Sequence, residues 1–209
     1  MEQENIGRKE REKLFKRAEI LSAAEELFFH KGFTATTLDD IAVKAEFGKG
    51  TIYNYFANKE EIYLSIVEDF IHKFIEIVNE ADKESESFKE FIAAYISRLY
   101  CFCHDNRVGY TLYVREFSDI NIDTVIHDKC AYFDRYPQMF QPFKNRFDKA
   151  QKEGIITDRF DIESIVVFVQ HSIFSNLYIS INGRRRGDFD CRHEAELAVE
   201  FILNGILKK

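Results

Sequence analysis

The apolar positions of this chain recur three and four apart along its length, and no stretch alternates convincingly at period two. In residues 9–30, Phe15, Leu21, Ala24, Leu27 and Phe28 fall close to that spacing, with Gly32 just past the end as a C-cap. Thr37 then offers an N-cap that Asp40 completes as a capping box, so 38–45 reads as a short helix with Ile41 and Ala42 inward. Glu46-Phe47-Gly48 reads as a turn and 49–55 as a second short helix. Asn58 with Glu61 gives another capping box. It opens a long helix from Lys59 to about Ala81, with Ile62, Ile66, Phe70, Phe74, Ile77 and Val78 inward.

Further helices are predicted over 88–104, 110–117, 124–153, 162–181 and 192–207. Pro137 and Pro142 should kink or split the third of these, because each removes an amide donor and clashes with the preceding turn. Gly154 and Gly183 are placed to stop two helices, and Asp161 and Asp190 to start the next two. Only 2 Pro and 9 Gly agree with long uninterrupted helices. The expected fold is all-α with about nine helices. A small helix-turn-helix domain over 1–57 would precede a larger helical domain over 58–209.

Two short helices, a tight turn and the start of a third within thirty residues is how a helix-turn-helix is written: one helix braces, and the next enters the major groove. The residue types fit that use. Gly50 lets a duplex approach the helix with no side chain intervening. Lys49 can reach a phosphate or a guanine edge, and Thr51 and Tyr53 lie near the exposed N-terminal half. Asn54 lies on the same short helix, Tyr55 should reach phosphate, and Ile52 and Phe56 should be core. Thr37 and Lys59 stand at helix starts that suit a phosphate. The expected DNA-binding residues are Thr37, Lys49, Gly50, Thr51, Tyr53, Asn54, Tyr55 and Lys59.

Residues 20–70 resemble the TetR family of bacterial transcriptional regulators. The matching pattern runs through Ala23-Ala24-Glu25-Glu26-Leu27-Phe28, Lys31-Gly32-Phe33, Thr36-Thr37-Leu38-Asp39-Asp40-Ile41-Ala42, Gly48-Lys49-Gly50-Thr51-Ile52-Tyr53-Asn54-Tyr55-Phe56 and Lys59-Glu60-Glu61-Ile62. Beyond about residue 80 the likeness extends only to helix number and size. The chain departs from the pattern at Gly48, where many members carry Ser or Thr; Gly offers no hydroxyl to a phosphate. The resemblance implies a homodimer through the last two helices, whose four-helix bundle sets two recognition helices on a palindromic operator. The apolar faces marked for it are Val166, Val169, Ile173 and Leu177 on one helix and Ala195, Val199, Ile202 and Ile206 on the other.

Charge is permissive of this reading. The net of −7 resolves into +2 over residues 8–59 (ten basic, eight acidic), −7 over 60–209 (nineteen basic, twenty-six acidic) and −2 from Glu2 and Glu4. Arg8, Lys9, Arg11, Lys13, Lys16 and Arg17 read either as a solvated face or as an arm adding phosphate contacts, and Arg184-Arg185-Arg186 as an exposed loop. No apolar run approaches the ~18 residues of a membrane span, and a soluble cytoplasmic protein without membrane attachment is expected. Cys101, Cys103, Cys130 and Cys191 form no Cys-x-x-Cys pair and read as buried free thiols, with no metal site. No nucleophile elbow, phosphate loop or metal-spaced His cluster is present, and His127 with Asp128 alone makes no site, so neither an enzyme nor a cofactor is expected.

Aromatic residues reach 15%, 21 of them Phe, and many fall in the second domain. Most read as core; a fraction can line a cavity for an apolar small-molecule effector, with a few polar anchors. The candidate effector residues are Tyr95, Tyr113, Arg115, Phe147 and His171, with Glu116, Gln170 and Asn176 as further polar anchors. The reading is then a homodimeric regulator, most simply a repressor released from its operator by an apolar effector. The alternative is a DNA-binding protein of the same fold without a small-molecule effector, controlled by a protein partner or by concentration.

Overall fold

The computed structural model describes residues 7–118, 132–183 and 190–206. Nine helices and no strand occur among them: α1 (Arg8–Lys31), α2 (Leu38–Lys44), α3 (Lys49–Tyr53), α4 (Lys59–Glu84), α5 (Phe88–Asp105), α6 (Arg107–Ser118), α7 (Tyr132–Lys152), α8 (Ile162–Asn182) and α9 (Cys191–Ile206). Residues 124–131 of a predicted helix, including His127 and Asp128, lie outside the described residues, as do Cys130, Arg184–Arg186 and Leu207. The all-α expectation holds. α7 runs unbroken through Pro137 and Pro142 instead of splitting. Each Pro costs a helix roughly 3 kcal/mol. Beyond Pro142 the helix buries Phe143, Phe147 and Ala150, which offsets part of that loss.

Helix ends are set by local chemistry. Thr37 and Asp40 form the reciprocal capping box that opens α2, and Asp161 accepts from the Ser164 amide at 2.8 Å to open α8. Ser87 and Glu90 form another box at the start of α5, a Ser-x-x-Glu signature that the hydrophobic pattern alone does not reveal. At the end of α8, Gly183 is sterically required: a Cβ there would lie 2.2 Å from the Ile179 carbonyl oxygen, which accepts the Gly183 amide at 2.7 Å.

The described chain forms two compact units. One comprises the residues through Asp69 with Thr111–Ser118; the other comprises Phe70–Tyr110 with α7, α8 and α9. Both α4 and α6 pass from one unit to the other, whereas the sequence boundary at 57/58 falls just before α4. In the first unit Ile20, Phe28, Ile41, Ile52 and Ile62 are fully buried. Tyr63 meets Phe28 and Phe33 edge-on at 5.5 and 5.2 Å and donates to the Leu112 carbonyl. Phe15, which falls near the helical spacing of the apolar positions, is exposed, because the buried stripe of α1 begins only at Ile20.

The second unit is built on an aromatic core. Tyr95 meets Phe143 at 4.4 Å and Phe74 at 6.0 Å, and Phe143 meets Phe147 at 5.7 Å. Arg146 pins α7 to the α4–α5 connection: it pairs with Asp82, donates to the Ser85 carbonyl at 2.7 Å and lies 5.5 Å from the Phe91 ring centroid. α5 packs along α9, and a disulfide joins Cys101 to Cys191 with the Cα atoms 5.1 Å apart. These two are therefore not the free thiols expected. Ninety residues separate them, so no local motif could have paired them. Among the described residues Cys103 is a buried free thiol, held protonated by burial.

α8 corrects two expectations. Val166, Val169, Ile173 and Leu177, marked from the sequence for a partner subunit, are buried inside the protomer, and so is Ala195 of α9; Val199 and Ile202 are partly buried. The outward apolar residues are Val167, Phe168 (73% exposed) and Ile179 (67%) on α8, with Leu197 and Phe201 (78%) on α9. α8 is also long and apolar enough, by length and composition, to cross a membrane, which no run in the sequence was expected to be. Two of its polar side chains meet tyrosines of α5 instead. Gln170 meets Tyr95 and Asn176 meets Tyr100, which marks a core helix of this unit.

Candidate nucleic-acid interface

α2 and α3 are joined by a turn whose geometry rests on Glu46, at φ 57° in the left-handed region that a side chain of this size rarely adopts. The Phe47 amide closes the turn on the Ala42 carbonyl at 2.9 Å. α3 is one and a half turns long. Ile52 and, just beyond, Phe56 are buried and fix its orientation, and Arg17 covers the Phe56 ring at 5.4 Å. Lys49, Gly50, Tyr53 and Asn54 are exposed, and Thr51 and Tyr55 are partly so. Tyr53, 51% exposed, presents its ring away from the unit's core. The short helix thus has one anchored face and one open face.

Gly50 is not demanded by packing. A Cβ at this position would meet nothing within 4 Å, and its φ is not in the left-handed region. Any need for glycine there comes from something outside the chain. Lys49 pairs with Asp39 of α2 at 2.7 Å, and this hydrogen-bonded carboxylate raises the ammonium's pKa. A phosphate approaching Lys49 would have to compete with that partner.

Thr37 and Lys59 are placed differently from the sequence expectation. The Thr37 hydroxyl accepts from the Asp40 amide at 3.1 Å and donates to the Asp40 carboxylate at 2.8 Å. Lys31 holds that carboxylate at 2.8 Å, and with the Thr37 bonds it lowers the Asp40 pKa to about 2. The start of α2 is therefore already filled by a carboxylate, which disfavours a phosphate. The Lys59 ammonium donates to the carbonyls of Phe33, Thr34 and Thr36 at 2.9, 3.3 and 3.1 Å and lies 4.4 Å from the Phe33 ring centroid. Its three donors are all engaged. It staples α4 to the α1–α2 connection.

Residues 20–66 match the family described as bacterial regulatory proteins, tetR family. That stretch is a TetR-family domain. The fatty acid metabolism regulator protein of Bacillus subtilis is 38% identical over 80 residues, covering 38% of this chain and 41% of that protein. The transcriptional activator FasR of Mycolicibacterium smegmatis is 27% identical over 97 residues, 46% of this chain and 44% of its own length. The chain thus spans less than half the length of these relatives. The fold similarity is wider: the crystal structure of FadR from Bacillus subtilis in complex with stearoyl-CoA superposes with a TM-score of 0.72 over 90% of this chain and 98% of that one, at 22% identity.

Outside the TetR-family domain, the five candidate effector residues are divided between the two units. Tyr95 and Phe147 lie in the aromatic core of the second unit, connected through Phe143. Tyr113 and Arg115 belong to the first unit, where the Arg115 guanidinium stands 5.8 Å from the Phe29 ring centroid. His171 is exposed on α8, its Nδ1 2.8 Å from the Val167 carbonyl oxygen. Its neighbour Gln170 is the polar residue that turns inward, whereas Asn176, itself exposed, accepts from the Tyr100 hydroxyl. α8 is apolar nearly all round, so periodicity could not tell which of residues 170 and 171 faces the core.

Proposed function

We propose that this protein is a cytoplasmic DNA-binding transcriptional regulator that reads a palindromic operator as a homodimer. The observation that carries the reading is α3: a helix anchored by Ile52 and Phe56, with Lys49, Gly50, Tyr53 and Asn54 on its open face inside a TetR-family domain. Such a helix fits the major groove, and two of them one DNA turn (about 34 Å) apart match a two-fold site. The partner subunit covers the outward face of α8 and α9, where Phe168, Ile179 and Phe201 would otherwise face water. Selection of duplexes from a random library, followed by footprinting, tests the reading. It expects an inverted repeat bound by wild type and lost in Tyr53→Ala; enrichment of no sequence overturns it.

The regulatory signal is an apolar small molecule taken up by the second unit, whose core is dominated by Phe and Tyr and holds few charges. The stearoyl-CoA of the similar FadR fold is a precedent for that class in another protein. α4, about 39 Å long at roughly 1.5 Å per residue, continues from this unit into the DNA-binding one and can carry the response. Binding that favours one tilt of α4 by several kcal/mol moves most molecules from the DNA-competent to the incompetent state. Repressor action released by effector is the simplest form.

A further inference from the structure

Three tyrosine hydroxyls of the second unit reach polar groups of α8, and two of these contacts are closed. Tyr100 donates to Asn176 Oδ1 at 2.9 Å, and Tyr110 donates to the Phe174 carbonyl at 2.7 Å. The third is open-ended. Tyr95 donates to Gln170 Oε1 at 3.1 Å, but Gln170 Nε2, on a residue only 3% exposed, has no hydrogen-bond partner. The other such atom, Nη1 of Arg98, belongs to a guanidinium already paired with Glu80 and Glu84. Gln170 has no such compensation. It stands in the inward stripe of α8 between Val169 and Ile173, and the Tyr95 ring it contacts is walled by Phe143, Phe74 and Phe91.

A buried amide N–H without a partner destabilises the free protein, and replacing both members of such a pair by apolar groups of similar shape is near-neutral or stabilising. Leu at position 170 with Phe at 95 would continue the surrounding core with no unmet donor. The pair therefore has a use that the free protein does not display. We propose that Gln170 Nε2 is the polar anchor of the effector site, and that the effector is an apolar chain or ring carrying a carbonyl-type oxygen (ester, thioester or ketone) that accepts from it. Tyr95 fixes the amide's orientation by occupying Oε1, which leaves a donor and not an acceptor facing the ligand. The inference rests on the apolar-effector reading above and adds to it an oxygen of defined hydrogen-bonding sense.

The test uses the full-length dimer with three probes of equal heavy-atom count: undecane, methyl octanoate and 1-decanol. Dissociation constants are measured by calorimetry for wild type, Gln170→Leu and Tyr95→Phe/Gln170→Leu. The ratio of ester to alkane affinity should fall about tenfold from wild type to either variant, the size of one neutral hydrogen bond. The double variant, freed of the unmet donor, should melt no lower than wild type, so a folding defect does not mask the result. An unchanged ratio, meaning that only water or nothing uses Nε2, overturns the anchor and leaves the apolar-effector reading standing. Loss of 1-decanol preference alone overturns the assignment of an acceptor ligand, since the free atom would then be the amide oxygen. Binding of none of the three by any form removes the apolar-effector reading itself.

Discussion

The Lys59 ammonium sits 2.9 Å from the carbonyl oxygen of Phe33 and 4.4 Å from the centroid of the same residue's ring, so one residue engages it through both backbone and side chain. A cation held this way stabilises the fold and is not on offer to DNA. Lys59→Ala should lower the unfolding free energy by about 1–3 kcal/mol, read from urea melts. The slope of log affinity against log salt should stay as in wild type. A slope flattened by about one unit with unchanged stability would return Lys59 to the phosphate-binding set.

Lys49 behaves in the opposite way, because its partner Asp39 is exposed and replaceable. Asp39→Asn should strengthen binding to all duplexes several-fold and at low salt most of all, since the lysine no longer exchanges one anion for another. Tyr53→Ala should instead remove sequence preference while leaving the melting temperature within about a degree, as expected of an exposed side chain. Anisotropy titrations over a salt series separate the two.

Phe168 and Val169 are neighbours on α8 with opposite fates, one exposed and one buried. Phe168→Glu or Phe201→Glu should give folded monomers in sedimentation velocity. Val169→Glu should unfold the protein, because a carboxylate would enter the core. If Phe168→Glu and Phe201→Glu remain dimeric, the subunit contact lies elsewhere.

Asp40 links the stability of the first unit to pH. Its pKa in the folded state, about 2, lies below the ordinary value of 3.8, so its contribution is complete above pH 4 and is lost as pH falls toward 2. Asp40→Asn should flatten that part of the acid-unfolding curve, with circular dichroism as the readout. Thr37→Ala, which removes one of the bonds that depress the pKa, should flatten it partly.

Cys101 and Cys191 close a 90-residue separation between α5 and α9. Without reductant, denatured protein should alkylate at Cys103 but not at these two. Reduction or Cys191→Ser should lower stability by about 4.6 kcal/mol on the chain-entropy account. Alkylation at Cys101 and Cys191 without reductant would show these two thiols unlinked.

What the sequence disclosed and withheld divides by the range of the interaction. The Thr37 and Asp161 caps, the Gly32 helix stop and the core stripe of α4 are signalled within four residues or by one helical period, and all were legible. The carbonyl partners of Lys59 were not legible because they lie more than twenty residues back in the chain. The Cys101–Cys191 link and the Tyr95–Gln170 contact also join distant positions. The faces of α8 were confused because apolar residues surround it. For α3, Ile52 and Phe56 told core from surface, so the open face could be read without the structure.

The empty space around Gly50 separates two demands that proteins usually meet with the same residue. No described residue would touch a methyl group there, so packing does not oppose a small side chain, and alanine, the better helix former, would stabilise α3 by up to about 1 kcal/mol. Glycine at 50 is thus held against the helix's own preference, as it would be where a duplex has to lie directly on the backbone of α3.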